Sequence, residues 1–252
     1  NQIREIIQAA RTSVFFIDEA QKVTWKDIGE ISAIKEFAVA ADAEIEELEL
    51  TSQFRCGGSD DYMAWLDNAL GVRIETDSYF SPGKFDFKIV NSPTELHELI
   101  KEKNKVNNKS RVVAGYCWEW VSRNDKHQSD IKFPEFNFEA DWNLTAHGGK
   151  WIIHEESVKE IGCIHTCQGL ELDYVGVIVG PDLAISSGEL ITDPAARAKS
   201  DKSLNGYKKA LGIDPIAASE KADEIIRNTY RTLMTRGMKG CYVYFTDQAT
   251  AD

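Results

Sequence analysis

A polar loop between two apolar segments occupies residues 163–180, which read CIHTCQGLELDYVGVIVG. Residues 162–165 and 174–180 are predicted to be strands, because short apolar runs bounded by polar residues are typical of buried parallel strands. Gly169 in the loop permits a ligand to approach the backbone closely. The segment therefore favours a loop that binds phosphate and sugar.

A second apolar run covers residues 13–17, SVFFI, and ends in Asp18 and Glu19. It predicts a strand that is buried on both faces and that ends where open α/β sheets bind their ligands. Two adjacent carboxylates suit a nucleotide-phosphate site, in which one holds Mg²⁺ and the other orients the attacking water. The alternative that the residues leave open is a turn followed by a helix cap.

Helices and apolar strands alternate along the rest of the chain, which predicts an α/β fold. Helices are predicted over 2–11, 26–41, 62–70, 94–105 and about 219–235, and further strands over 44–50, 111–121 and 241–245. Residues 130–142 predict a β-ribbon and residues 185–205 a polar insertion. The turn signal at residues 81–83 predicts the start of a linker.

Composition limits the classes of function. The 252 residues, 42% of them hydrophobic, can form one large domain or two modest ones. A net charge of −12 excludes an indiscriminate nucleic-acid coat protein, so a polyanion must meet a local basic strip. Five scattered cysteines predict reduced thiols and a cytoplasmic location. The sequence predicts neither a membrane span nor a signal peptide.

Four short motifs resemble those of superfamily 1 helicases. Residues 163–171 are similar to the fifth motif, Thr-x-His-x-x-Gln-Gly-x-Glu, although Cys163 stands at its Thr position. Residues 230–237, YRTLMTRG, resemble the sixth motif, residues 50–55, LTSQFR, the fourth, and residues 18–21, DEAQ, the second or Walker B motif. The resemblance covers nearly the whole chain. It looks closest to bacterial proteins of uncertain role that carry a Schlafen-type DNA/RNA helicase domain.

This resemblance implies a role for each matching residue. Asp18 would bind Mg²⁺, Glu19 would activate water, and Arg55 and Arg236 would neutralise charge on the transferred phosphoryl group. The implied nucleotide contacts are Gln21, Gln168, Gly169 and Glu171, and the implied nucleic-acid contacts are His165 and Thr166. For His165, a hydrogen-bonded structural role fits the residues equally well.

The resemblance also implies a P-loop NTPase-like fold built from two RecA-like domains. Residues 1–85 would be the C-terminal part of the first domain. Residues 86–252 would form the second, with a β-ribbon insertion at 130–155 and a helical insertion at 183–218. Neither the phosphate loop, Gly-x-x-x-x-Gly-Lys-Ser/Thr, nor the third motif is recognisable. We therefore expect the C-terminal part of a longer motor, which does not turn over ATP by itself.

Two classes of function follow. The first is part of an ATP-dependent helicase or translocase, with ATP, Mg²⁺, single-stranded DNA or RNA and the missing N-terminal segment as its partners. The second is a non-catalytic helicase-like scaffold that binds nucleic acid or protein. Tyr116, Trp118 and Trp120 alternate along a predicted strand. They suit base stacking or, as the preferred reading, core packing.

Overall fold

Five of the nine strands in the described residues form one central parallel sheet. In the computed structural model, which describes residues 1–27, 30–49, 54–73, 80, 83, 85–143 and 147–251, the strands are β1 (Asp86–Ile89), β2 (Ser110–Ala114), β3 (Ile131–Phe133), β4 (Phe138–Ala140), β5 (Ile161–Gly162), β6 (Leu172–Val179), β7 (Leu183–Ser186), β8 (Glu189–Thr192) and β9 (Gly237–Phe245). The central sheet has the order β1-β9-β6-β2-β5. All of its neighbouring strands run parallel. Two antiparallel hairpins, β3–β4 and β7–β8, lie outside it.

The helices flank this sheet. They are α1 (Gln2–Ala9), α2 (Ile31–Ala40), α3 (Asp60–Ala69), α4 (Pro93–Asn104), α5 (Ile164–Cys167), α6 (Tyr207–Leu211), α7 (Pro215–Met234) and α8 (Gln248–Ala251). Helix α4 begins as its sequence predicts, because the Ser92 side chain accepts from the Glu95 N–H at 3.1 Å and Pro93 occupies the first turn. Two short 3₁₀ turns, Glu19–Gln21 and Arg55–Gly58, carry candidate site residues.

Two hydrophobic layers cover the two faces of the sheet. Successive strand residues point to opposite faces, so Val112 and Val113 belong to different layers. One layer packs the sheet against α3 and α7, and Ile226 of α7 belongs to it. The other packs the sheet against α4 and the β3–β4 ribbon, with Ile100 and Trp142 fully buried. This confirms the predicted α/β class.

Residues that precede the sheet share the first of these layers. Cys56 and Tyr62 are fully buried in the same cluster as Val175 and Ile226. The Tyr62 hydroxyl donates to the carbonyl oxygen of Met234 at 3.2 Å, which joins α3 to the end of α7. Residues 55–70 therefore pack directly against the helix that carries the sixth motif. The division of the chain at residue 85 stays a prediction.

The buried strand predicted over residues 13–17 is wrong. These residues belong to none of the strands, and Val14 and Phe16 are 72% and 84% exposed. An apolar run becomes a buried strand only where a neighbouring strand and covering layers exist, and the described part of the chain supplies neither to this run. The strand predicted over 44–50 is wrong for residues 44–49, where Leu48 is 84% exposed. Leu50 lies outside the described residues.

Other predicted elements differ mainly in their ends. The strand expected over 111–121 stops at Ala114. Of the strand expected over 162–165, only Gly162 belongs to a strand, because Ile164 begins a helical turn. The predicted ribbon and the predicted helices that became α1, α3, α4 and α7 are present. The helix predicted over 26–41 is shorter, because residues 26, 27 and 30 are not helical and α2 covers Ile31–Ala40. Residues 28–29 and the turn signal at 81–82 fall outside the described residues. No helix among those described combines the length and the apolar character that crossing a membrane requires.

Candidate functional site

Asp18 is held at the start of the first 3₁₀ turn by donors from three directions. Its carboxylate accepts from the Ala20 N–H at 3.1 Å and from Gln21 Nε2 at 2.7 Å. Arg55 Nη1 lies 3.6 Å from Asp18 Oδ2. Burial raises the pKa of Asp18, but the Gln21 hydrogen bond and the charges of Arg231 and Arg55 outweigh it and lower the pKa. Asp18 is therefore a carboxylate at neutral pH.

Glu19 and the rest of this turn are anchored to neighbouring helices. Glu19 Oε1 accepts from the backbone N–H of Ile31 at 3.0 Å, at the first residue of α2. Asn228 of α7 donates its side-chain amide to the carbonyl oxygens of Glu19 and Lys22, at 3.4 and 3.2 Å. Helix α7 therefore positions the turn that bears Asp18, Glu19 and Gln21.

A buried ion pair lies behind this turn. Arg231 of α7 and Asp67 of α3 form a bidentate pair through Arg231 Nε and Nη2, with the second contact at 3.0 Å. Burial lowers the pKa of Arg231, but the hydrogen bond and charge of Asp67, together with the charge of Asp18, raise it overall. The pair fixes a positive charge close to Asp18.

Sequence reasoning missed this pair, although a signal for it exists. Asp67 occupies the helical face marked by Met63, Leu66 and Leu70, all of which are buried. A carboxylate on such a face requires a buried partner. Arg231, one position after Tyr230 in the sixth motif, is that partner.

Arg236 joins the sixth motif to the fifth. Its Nε donates to the Thr232 carbonyl oxygen at 3.0 Å and its Nη1 to the Leu170 carbonyl oxygen at 3.3 Å. The Leu172 N–H donates back to the Arg236 carbonyl oxygen at 2.9 Å. Burial lowers the pKa of Arg236, and the nearby positive charge of Arg55 lowers it further. Arg236 Nη2 is buried and has no hydrogen-bond partner in the described part of the chain.

These contacts place the candidate nucleotide residues at the amino edge of the sheet. Glu171 directly precedes β6 and Arg236 directly precedes β9, and these parallel strands are neighbours. Gln168, Gly169 and Glu171 are exposed there, and Gly169 has a φ of +82° with open space around its α-carbon. The expectation that the acidic pair follows the carboxyl end of a strand is wrong, because Asp18 follows no strand.

His165 and Thr166 lie at the opposite, carboxyl edge, immediately after β5. His165 Nε2 lies 3.6 Å from Asp201 Oδ1, and its side chain is 41% exposed. The Thr166 hydroxyl donates to Asn143 Oδ1 at 2.6 Å. The two groups of candidate residues therefore occupy two different edges of one sheet.

The aromatic residues that follow β2 pack against the core. The ring of Tyr116 stacks on Trp142 at 5.0 Å with an interplanar angle of 5°. Trp118 contacts Phe133 and Trp142 edge-on or tilted, and Trp120 packs against the same hydrophobic layer. Core packing, the preferred reading, is therefore confirmed for the buried Tyr116, whereas Trp118 and Trp120 are only partly buried.

Comparison with known proteins supplies a family. A family model described as Schlafen group 3, DNA/RNA helicase domain, matches residues 1–247. The uncharacterized protein YPL245W of Saccharomyces cerevisiae is 26% identical over 212 residues, which are 79% of this chain and 45% of the yeast protein. The chain thus spans less than half the length of that relative.

Proposed function

Because the chain belongs to the Schlafen group 3 DNA/RNA helicase domain family, we propose that it is the RecA-like C-terminal part of an ATP-dependent superfamily 1 helicase or translocase. Its amino-edge residues would act on ATP, and its carboxyl edge would face single-stranded DNA or RNA. The family supports a helicase-like domain that interacts with nucleic acid, and the ATP-driven activity is the proposed step.

One observation carries this proposal. Residues that are far apart in sequence meet at the amino edge, where Asp18 contacts Arg55 and the charge of Arg55 reaches Arg236. Arg236 in turn bonds Leu170, beside the exposed Gln168 and Glu171. Phosphoryl transfer requires this combination of carboxylates and guanidinium groups around one phosphate.

Each residue would have a separate task. Glu19 would orient and deprotonate the attacking water, and Gln21 would respond to the γ-phosphate. Arg55 and Arg236 would stabilise the charge on the transferred phosphoryl group through their planar guanidinium groups. The exposed loop at Gln168, Gly169 and Glu171 would contact phosphate or ribose.

The residues also fit a magnesium ion. Asp18 is ionised, and Mg²⁺ in phosphoryl-transfer sites uses one or two carboxylates together with substrate phosphates and water. No group of three His, Cys, Asp or Glu side chains within the described ranges forms a complete cage, so Asp18 would hold the ion together with the nucleotide. Such an ion would neutralise charge on the phosphates.

The sequence of these 252 residues contains no Gly-x-x-x-x-Gly-Lys-Ser/Thr loop. That loop supplies the backbone N–H groups and the Lys that grip the β- and γ-phosphates. We therefore expect residues 1–252 alone to show no appreciable ATP binding or turnover. The relative is about twice as long as the matched region, which is consistent with a larger parent protein.

The decisive experiment measures ATP hydrolysis by a longer protein from the same gene, with and without single-stranded DNA or RNA. We expect nucleic acid to stimulate hydrolysis. Glu19→Gln should abolish turnover and preserve ATP binding, because the amide retains the shape but cannot act as a base. Glu36→Gln, at an exposed position on α2, is the matched control. Hydrolysis by the Glu19→Gln protein near the parent rate would refute the proposal, and nucleic-acid binding without ATP binding would establish the scaffold alternative.

A further inference from the structure

A series of buried polar side chains crosses the molecule behind the carboxyl edge of the sheet. We infer that Asp201, Arg197, Asp182 and Tyr230, here named the polar bridge, are positioning residues that connect His165 to the end of α7. The inference goes beyond the proposed function and rests on it only for the assignment of His165 to nucleic acid.

The first half of the polar bridge consists of close contacts between titratable side chains. Asp201 Oδ1 lies 3.6 Å from His165 Nε2, and Asp201 Oδ2 lies 3.1 Å from Arg197 Nε. The same Arg197 nitrogen lies 3.4 Å from Asp182 Oδ2. The side chains of Asp182, Arg197 and Asp201 are each at most 2% exposed. Only His165, at the outer end, is accessible to a ligand.

The second half reaches the helix of the sixth motif. The Tyr230 hydroxyl donates to Asp182 Oδ1 and accepts from the backbone N–H of Gly180 at 2.9 Å. The Tyr230 hydroxyl packs directly against Gly115, so closely that a β-carbon at that position would lie 2.0 Å from the hydroxyl oxygen. This contact restricts the position of the Tyr230 side chain. The next residue of α7 is Arg231, and Asn228, two residues before Tyr230, donates to the carbonyl oxygens of Glu19 and Lys22 in the turn that bears Asp18. A shift at Asp201 is therefore connected to the amino-edge site through Arg197, Asp182 and Tyr230.

Energetics favour a positioning role over a purely stabilising one. Two carboxylates share one guanidinium group in the buried part of the polar bridge. Asp182 Oδ2 and all three guanidinium nitrogens of Arg197 have no hydrogen-bond partner among the residues that the structure describes, so Arg197 is held by charge contacts alone. Buried ion pairs with unsatisfied donors rarely stabilise more than apolar residues of the same size. The arrangement is better explained by the need to hold His165 and Tyr230 in fixed relation.

The segment that carries Arg197 and Asp201 is itself fixed to the loop after β2. The Ala198 N–H donates to the Tyr116 carbonyl oxygen at 2.9 Å. Glu119 accepts from the Lys199 N–H at 2.5 Å and from the Ser200 hydroxyl at 2.8 Å. Backbone and side-chain hydrogen bonds to the loop after β2 therefore fix the outer end of the polar bridge, and its inner end, Tyr230, belongs to α7.

A double-mutant cycle on the unliganded chain tests the connection. Asp201→Asn and Tyr230→Phe are made singly and together, and urea unfolding gives the unfolding equilibrium constant of each protein. We expect the unfolding equilibrium constant of the double variant to differ at least about fivefold from the product of the two single effects. Both changes act on one network, so their effects should not be independent. His165→Gln, at the half-exposed outer end, replaces Asp201→Asn if that variant does not fold.

Tyr242→Phe is the matched control. The Tyr242 hydroxyl donates to Asp86 Oδ2 at 2.6 Å, a tyrosine–aspartate bond outside the polar bridge. The double variant Tyr242→Phe, Asp201→Asn should have an unfolding equilibrium constant within about twofold of the value expected from the product of the two single effects. If the Tyr230 cycle is equally additive, the polar bridge does not connect the two positions and the inference is overturned.

A second measurement tests transmission. A fluorescein-labelled single-stranded 20-mer, as DNA and as RNA, is bound to the chain, and amide hydrogen exchange is followed over residues 228–237. We expect binding to slow exchange there at least about threefold in the wild type and in Tyr242→Phe, but not in Tyr230→Phe. Unchanged slowing in Tyr230→Phe refutes the inference. If no oligonucleotide binds, the nucleic-acid part of the proposed function is wrong, and the cycle alone decides on the polar bridge.

Discussion

Replacement of Asp67 by alanine tests the buried pair behind the candidate site. Asp67 is the bidentate partner of Arg231, both residues are almost completely buried, and Arg231 Nη1 already lacks a partner in the described part of the chain. Removing one member of a buried pair leaves an uncompensated charge and costs about 3–5 kcal/mol. With a urea m-value of about 3 kcal/mol/M, the unfolding midpoint should fall by about 1–1.7 M.

The assay is urea unfolding followed by tryptophan fluorescence, with one control and one rescue. Lys239→Ala removes a pair of similar length, 2.6 Å to Asp173, but the Lys239 side chain is 56% exposed, so the loss should stay within about 1 kcal/mol. Asp67→Leu combined with Arg231→Met should recover most of the loss, because no charge then remains buried. A loss below about 1 kcal/mol in Asp67→Ala would show that Arg231 does not depend on Asp67.

Three further predictions concern the same region. In a longer, active protein, Arg236→Lys should lower the rate of ATP hydrolysis at least about 100-fold, since a point charge cannot replace the guanidinium group; a rate near the parent's would remove the arginine from catalysis. Gly115→Ala should destabilise the chain by about 1–3 kcal/mol in urea unfolding, because its β-carbon would meet Tyr230, whereas Gly149→Ala, with open space around it, should have little effect. Burial raises the pKa of Asp201, but His165, Arg197 and Ser203 outweigh burial and lower this pKa from 3.8. The ionised carboxylate therefore contributes its full stabilisation above pH 3.8, and this contribution is lost as the pH falls through the lowered pKa. Melting temperatures measured at pH 2–5 should fall less steeply in Asp201→Asn.

The sequence predicts those elements whose signals are local. Helix α4 has its cap at Ser92, its Pro93 and its apolar period within a dozen residues, and the structure reproduces it. The strand at 13–17 failed because its burial depends on a neighbour that the segment itself cannot specify. A similar apolar run in β6 is buried because its neighbours β2 and β9 lie on either side of it.

The candidate site divides in a similar way. The motifs identified Asp18 and Arg55 as parts of one site, and their side chains lie 3.6 Å apart; their chemical roles stay predictions. No periodicity indicates that residues 18 and 231 are close, because that proximity depends on how the turn Glu19–Gln21 packs against α7. The edge of the sheet on which a loop lies also follows from topology, and the acidic pair was expected after a strand over 13–17 that does not form.

The uncovered segment at residues 13–17 has a practical consequence for anyone who purifies this chain. An uncharged run of Val, Phe and Ile, in which Val14 and Phe16 are exposed, offers a template on which the same segment of another molecule can pair. Arg11 and Asp18 at its ends act as charged gatekeepers, and neither interrupts the run itself. Concentrated samples will therefore tend to self-associate through this segment. A lysine in place of Val14 would keep them dispersed without touching the sheet, because that side chain already faces solvent.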